Sequence, residues 1–274
     1  MNKIEIFRQA FLFLSRFHWL HERFLILAKL YVDLDKGFKF SYMPHENGEE
    51  ELVETVAAIF PNQLTFFDVG ANRGTYTQMV FSRCIGVEAH LFEPLQQTFL
   101  KCKDNLSQIS GITFNQLALF DKETNVEFRV YPEDSSRNGI AGVGEEVNFL
   151  SQVQEVKCTT GDAYCFSQEI GRVNFIKIDA EGYDLHVLKG FEELIRAKRI
   201  DIIQFEYTVK HSEIKCMLKD YFDLLVPNGY IIGPLRKRGV EFSAYDFTMN
   251  NFDQGPNYIA CLEKYRKPLE LFRG

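Results

Sequence analysis

Residues 66–77 read FFDVGANRGTYT. An apolar run closes on Asp68, glycines follow at Gly70 and Gly74, and a polar tail begins at Thr75. This is the pattern of a buried strand entering a glycine turn and then a helix. Glycines let backbone approach a ligand closely, and the first helical turn presents free N–H groups. Two cofactor classes use such a turn. Dinucleotides want GxGxxG, with the helix end facing a pyrophosphate. Here the glycines fall as GxxxG, and Asp68 stands where a carboxylate would oppose a pyrophosphate. A carboxylate suits a cationic ligand carrying an ammonium group, such as S-adenosylmethionine.

Outward from this stretch, strands and helices alternate. LTFFDV is a buried strand and 74–84 a helix. IGVEAHLFE is a strand, LQQTFLKCKDNL a helix entered at Pro94, and GITFNQLAL a third strand. The alternation predicts an α/β fold with right-handed crossovers and a mostly parallel sheet covered on both faces. It breaks at NVEFRVYP, the glycine-rich EDSSRNGIAGVGEE and VQEVKCTT, which read as an inserted hairpin bearing a long loop. It resumes with VNFIKID, a helix from about Tyr183, IDIIQFE and a helix over roughly 212–225. PNGYIIGPL and NYIACLEKY close the chain as strands. Upstream, FKFSYMPHENGEE reads as a short strand or loop leading to a helix over roughly 49–60.

The bulk numbers set limits. The chain has 274 residues, 46% hydrophobic and 25% charged, which suits one soluble domain with an extension. The 26 phenylalanines predict an aromatic-rich core. A net charge of −7 with no long Lys/Arg run argues against nucleic-acid binding, which needs cations on phosphates. The six cysteines form no CxxC pair or Cys/His cluster, so they read as reduced thiols of a cytoplasmic protein rather than zinc ligands. Residues 1–45 read as an N-terminal helical extension and 46–274 as the main domain. Within the extension, Ile4, Phe7, Phe11 and Leu14 share helical spacing, as do Leu20, Phe24, Leu27 and Tyr31. Interspersed charges leave no uninterrupted apolar span of roughly 20 residues. One or two amphipathic helices could pack on the main domain, pair with a second copy, or lie on a membrane surface.

Two further motifs narrow the chemistry. HLFEP ends a strand at Glu93, 25 residues after Asp68, which suits one strand–helix–strand step. An acid there can accept both hydroxyls of a ribose. VNFIKIDAEGYDLHVLKG spans 173–190 and places Lys177, Asp179 and Glu181 at alternate positions, predicting one shared face at the end of a strand. Ligands of open α/β sheets bind there. Charges in a buried strand are costly unless paired or used.

DVGANRGTYT, LFEP, FIKIDAEGYDLHVLKG and IIQFEYT, in this order, resemble the FkbM-type family of S-adenosylmethionine-dependent O-methyltransferases over roughly 60–265. The resemblance implies a Rossmann-like class I methyltransferase fold, with a seven-stranded, mostly parallel sheet whose last strand is antiparallel. It implies that Asp68, Gly70, Ala71, Asn72 and Gly74 surround the methionine end of the cofactor, with Thr77 near. Glu93, beside Pro94, would hold the ribose. Leu117 and Ala118 would sit against adenine, and Asp179 near the methyl group.

The implied reaction is displacement at the cofactor's methyl carbon by a substrate hydroxyl, aided by a base. Asp179 and Glu181 lead as candidates, with Glu206 and His211 at the same cleft mouth. His186 reads as solvent-facing, and His45 could line the pocket. Asp179, Glu181 and Glu206 could instead hold Mg²⁺, but no adjacent Asp-Asp pair follows the fifth strand, so a metal ranks second. Ser135, Ser136, Arg137 and Asn138 supply polar groups for a sugar, in a loop that reads equally as a substrate lid or a flexible hairpin tip. The family points to a hydroxyl of a glycan or glycosylated metabolite, with polyketide hydroxyls as the alternative. A dinucleotide-dependent oxidoreductase and a non-catalytic binding module are the rival classes.

Overall fold

The computed structural model describes residues 8–9, 12–13, 17–35, 44–130, 139–140, 152–252 and 255–272. Ser135, Ser136, Arg137 and Asn138, with Ile4, Phe7, Phe11 and Leu14, lie outside the described residues. The chain runs through α1 (His18–Asp35), α2 (Pro44–Asn47), α3 (Glu49–Ile59), β1 (Leu64–Val69), α4 (Thr75–Arg83), β2 (Val87–Phe92), α5 (Gln96–Asn105) and β3 (Ile112–Asn115). A second set follows: β4 (Ala118–Leu119), β5 (Thr124–Val130), β6 (Gly139–Ile140) and β7 (Gln152–Thr159). Then come α6 (Gly161–Ser167), β8 (Val173–Ile178), α7 (Asp184–Lys189), α8 (Glu192–Arg196), β9 (Ile200–Glu206), α9 (Lys210–Glu213) and α10 (Leu218–Leu225). The chain closes with β10 (Tyr230–Arg236), β11 (Gly239–Val240), β12 (Asn257–Leu262) and α11 (Arg266–Glu270).

The near-continuous apolar runs of β1, β8 and β9 suit strands covered on both faces. They occupy the middle of a sheet ordered β11-β10-β12-β9-β8-β1-β2-β3. β1 pairs in parallel with β2 and β8, and β12 runs antiparallel to both β9 and β10. These are the seven expected strands with an antiparallel last one. The two-residue β11 adds an eighth at the edge by turning back on β10. Two apolar layers sandwich the sheet. Leu52 and Val56 of α3, Val80 of α4 and Leu269 of α11 cover one face. Tyr164 of α6, Leu188 of α7, Ile195 of α8 and Tyr221 of α10 cover the other.

Three local expectations are corrected. GITFNQLAL is not one strand, because Ala118-Leu119 leaves the main sheet to pair with Cys158-Thr159 of β7. β5 and β7 form the expected hairpin, within a separate four-stranded sheet. The helix over 212–225 is two, interrupted at Lys215, which has φ +57°. The PHEN segment forms the helical turn α2 rather than a strand or loop. In α1, Trp19, Phe24 and Ile26 are exposed. No helix among the described residues is long and apolar enough to cross a membrane.

The connections place the site. From β1 the chain winds outward to β2 and β3, then returns to β8 on the other side of β1. Between β1 and β8 the winding reverses, and the crevice beyond their carboxyl ends is where open α/β sheets bind ligands.

Candidate functional site

A cleft opens at that reversal. The glycine turn forms its floor. Gly70 N and Ala71 N both donate to the Phe92 carbonyl, at 3.0 and 3.1 Å, which ties the turn to β2. Asp179 N donates to the Val69 carbonyl at 2.9 Å, which ties it to β8. Gly70 has φ +81°, and a methyl there would overlap the Asp179 carbonyl oxygen. Its lack of a side chain lets the two strand ends meet.

Glu93 stands at the cleft wall, 8% exposed. Its carboxylate accepts from Asn72 N at 3.1 Å and Leu95 N at 3.0 Å. Burial nevertheless pushes its pKa up to about 7, partly offset by those two donors. Asn72 Oδ1 is buried in the same cleft with no partner. An orphaned acceptor beside a carboxylate fits a ligand with an ammonium at one end and a vicinal diol further along. Ala118, Leu119, Phe120 and Phe128 supply an apolar slot next to it.

Of the expected cofactor residues, Gly70, Asn72, Glu93, Pro94, Ala118 and Asp179 line the cleft. The others support it from behind. Asp68 is fully buried, accepts from Thr77 Oγ1 at 2.6 Å, and faces Lys177, its neighbour in the β1–β8 register. Burial raises its pKa against the pull of Lys177 and Thr77. Ala71 packs in the core, and Gly74 seats against Leu106 and Cys102. Leu117 packs on the other core and lines a neighbouring groove instead.

Asp179 and Glu181 line the mouth, each with a lysine partner. Lys177 Nζ donates to Asp179 Oδ2 at 3.0 Å and lies 5.3 Å from the centre of the Tyr76 ring. Burial alone would lower the Lys177 pKa, but Asp179, Asp68 and Glu49 hold it above the ordinary value. Glu181 does not continue the strand. It sits in the following turn at φ +53° and pairs with Lys210. Burial and then Asp179 raise the Glu181 pKa, while Lys210 opposes them. Burial, then Asp179 and Asp184, push Glu206 well above the ordinary carboxylate range. Its carboxyl therefore holds its proton to higher pH than an exposed glutamate would.

The histidines are corrected. His211 is fully buried, with Nε2 2.9 Å from the Tyr221 hydroxyl and Nδ1 3.1 Å from Thr208 N. Burial lowers its pKa to about 4, so it is a neutral core side chain away from the cleft. His186 is half-buried and stacks on Phe120 at 5.1 Å rather than facing solvent. His45 is exposed, beside Glu46.

Three contributors escaped the sequence reading. Asp184 is fully buried and accepts from Glu206 N at 3.0 Å and Ala180 N at 3.3 Å, latching the ends of β8 and β9 together. Burial and then Asp179 raise its pKa to about 7. Its place in the first turn after KIDAEGY was the available signal. Phe128 reaches the cleft from the inserted sheet, as the Val126/Phe128 alternation of β5 allows. Tyr76 sits one residue inside α4, and nothing local marks it. Among the described residues, no three His, Cys, Asp or Glu side chains group so as to hold a metal ion.

Comparison with known proteins identifies relatives of the chain. Residues 68–239 match the methyltransferase FkbM domain. The chain is 23% identical over 174 residues to the hexuronic acid methyltransferase AglP of Haloferax volcanii, covering 63% of this chain and 69% of that protein. It is 25% identical over 153 residues to methyltransferase 1 of Beauveria bassiana, covering 50% of this chain and 61% of that one. Among solved structures, a precorrin-6y C5,15-methyltransferase from Geobacter metallireducens superposes with a TM-score of 0.40 at 11% identity, covering 83% of this chain and 94% of that one.

Proposed function

Because this chain belongs to the FkbM methyltransferase family, we propose that it transfers a methyl group from S-adenosylmethionine to a hydroxyl oxygen of a sugar, in a glycan or glycosylated metabolite. The observation that carries the reading is the pairing across one cleft of Glu93, suited to a ribose, and Asp179, held beside the glycine turn.

When bound, the cofactor supplies an electrophilic methyl on a sulfonium. Glu93 would accept the two ribose hydroxyls with the lone pairs its backbone donors leave free. Asn72 Oδ1 would take the ammonium, and the apolar slot of Phe120 and Phe128 would hold the adenine. Asp179, ion-paired to Lys177, takes the acceptor's proton as the oxygen–carbon bond forms. Glu206, whose pKa burial raises, stands behind Asp179 as the second candidate for the proton transfer. Glu181 is engaged by Lys210 and shapes the mouth. The resemblance to a hexuronic acid methyltransferase supports a sugar acceptor over a polyketide.

Calorimetry with S-adenosylmethionine and NAD(P), followed by a methyl-transfer screen on sugar and polyketide acceptors, tests the reading. Binding of S-adenosylmethionine and transfer to a sugar hydroxyl is expected. Binding of NAD(P) alone would replace it with an oxidoreductase.

A further inference from the structure

A chain of buried polar side chains runs into the cleft from segments outside the matched stretch 68–239. Asn47 Nδ2 donates to Glu49 Oε2 at 2.9 Å. Glu49 Oε1 accepts from Gln204 Nε2 at 2.6 Å and from Asn257 Nδ2 at 3.3 Å. The Gln204 carbonyl oxygen accepts from the Tyr76 hydroxyl at 2.6 Å. The Tyr76 ring lies under the Lys177 ammonium, which holds Asp179. Gln204 is also the register neighbour of Lys177 across β8 and β9. Glu49, Gln204, Asn257 and Lys177 are all at most 9% exposed.

Burying a helix carboxylate, two strand amides and a strand ammonium between α3 and the sheet is costly, and apolar side chains of similar size are often as stable there. The arrangement is directional, however. Glu49 has only acceptors, so both amides turn their N–H₂ groups toward it. The Gln204 carbonyl is thereby left facing Tyr76, and the Tyr76 hydroxyl can only donate to it. The ring then presents its face, not its oxygen, to Lys177.

We infer that Glu49 is a positioning residue for methyl transfer: through Gln204 and Tyr76 it fixes Lys177, and so the carboxylate of Asp179, where the acceptor's proton is taken. The inference rests on the proposed function. It makes α2, α3 and β12 part of the catalytic unit, although residues 68–239 carry the family match.

The test measures kcat, acceptor KM, cofactor Kd and urea unfolding for the wild-type chain, Glu49→Gln, Tyr76→Phe and the double variant. Each single change is expected to lower kcat about tenfold or more at unchanged cofactor Kd and acceptor KM. The double variant should be no slower than the slower single one, because both changes break the same chain. Unchanged kcat with a raised acceptor KM would make Glu49 an acceptor contact and overturn the inference. Multiplicative kcat losses would do the same. If Glu49→Gln fails to fold, Tyr76→Phe decides by the same split between kcat and KM. If the wild type moves no methyl group, the proposed function falls, and the linkage is read from unfolding. Additive stability losses would then refute it, and non-additive losses would uphold it.

Discussion

Glu93→Gln is the most informative single substitution, because Glu93 has a legible charge cost as well as a binding role. Its folded pKa of about 7 stands above the ordinary 4.5. At about 1.36 kcal/mol per pH unit, that difference corresponds to about 3 kcal/mol. Between those two pH values the folded state holds the proton more tightly than the unfolded chain. Stability from this group is therefore full below about pH 4.5 and falls as pH rises through about 7. Glutamine carries no titratable proton, so the variant loses this slope. It also sets an amide N–H₂ against one of two backbone donors, Asn72 N or Leu95 N, at a constant cost of roughly 1–3 kcal/mol. Urea unfolding of both proteins at pH 5, 6, 7 and 8 isolates the group, since every other titration is common to both. The wild type should lose about 2.5 kcal/mol relative to the variant across that range, the rest having gone below pH 5. Saturating S-adenosylmethionine should flatten the wild-type slope, because ribose hydroxyls donate to the ionised carboxylate. Parallel stability curves for the two proteins would refute the reasoning.

Other perturbations have equally definite outcomes. Gly70→Ala forces a methyl into the Asp179 carbonyl oxygen at φ +81°, and should cost roughly 1–3 kcal/mol in thermal unfolding and abolish cofactor binding in calorimetry. Asp179→Asn should lower kcat about a hundredfold or more while cofactor Kd changes only a few-fold, because the lost group acts on the acceptor proton. Asp184→Ala strips the acceptor from two backbone N–H groups and should destabilise by roughly 1–3 kcal/mol in urea, less above pH 7 where the buried acid of the wild type is charged. EDTA should leave the initial rate unchanged, since Lys177 and Lys210 already neutralise Asp179 and Glu181.

The sequence by itself determined the scaffold and the floor of the site. Apolar runs at LTFFDV, VNFIKI and IDIIQF select central strands, and the Gly70–Gly74 turn selects the strand-to-helix corner, because both depend on neighbours a few residues away. Glu93 and Asp179 were legible for the same reason, since each ends a strand whose direction the alternation sets. Partnership and solvation were decided only by the tertiary structure. His211 follows β9 and reads as a candidate base, yet the fold seats it in α9 against Tyr221, where burial makes it neutral. Glu206 reads as a second base, and burial, with Asp179 and Asp184 from other segments, raises its pKa in a way no local sequence shows. Leu117 and Ala118 are adjacent in sequence, but the departure into the second sheet sends only Ala118 into the cleft. Glu49 meets Gln204 and Asn257 across 155 and 208 residues of chain. The charge state and aim of a buried polar group depend on what desolvates it and what donates to it, and those groups come from distant segments that meet only when the sheet closes.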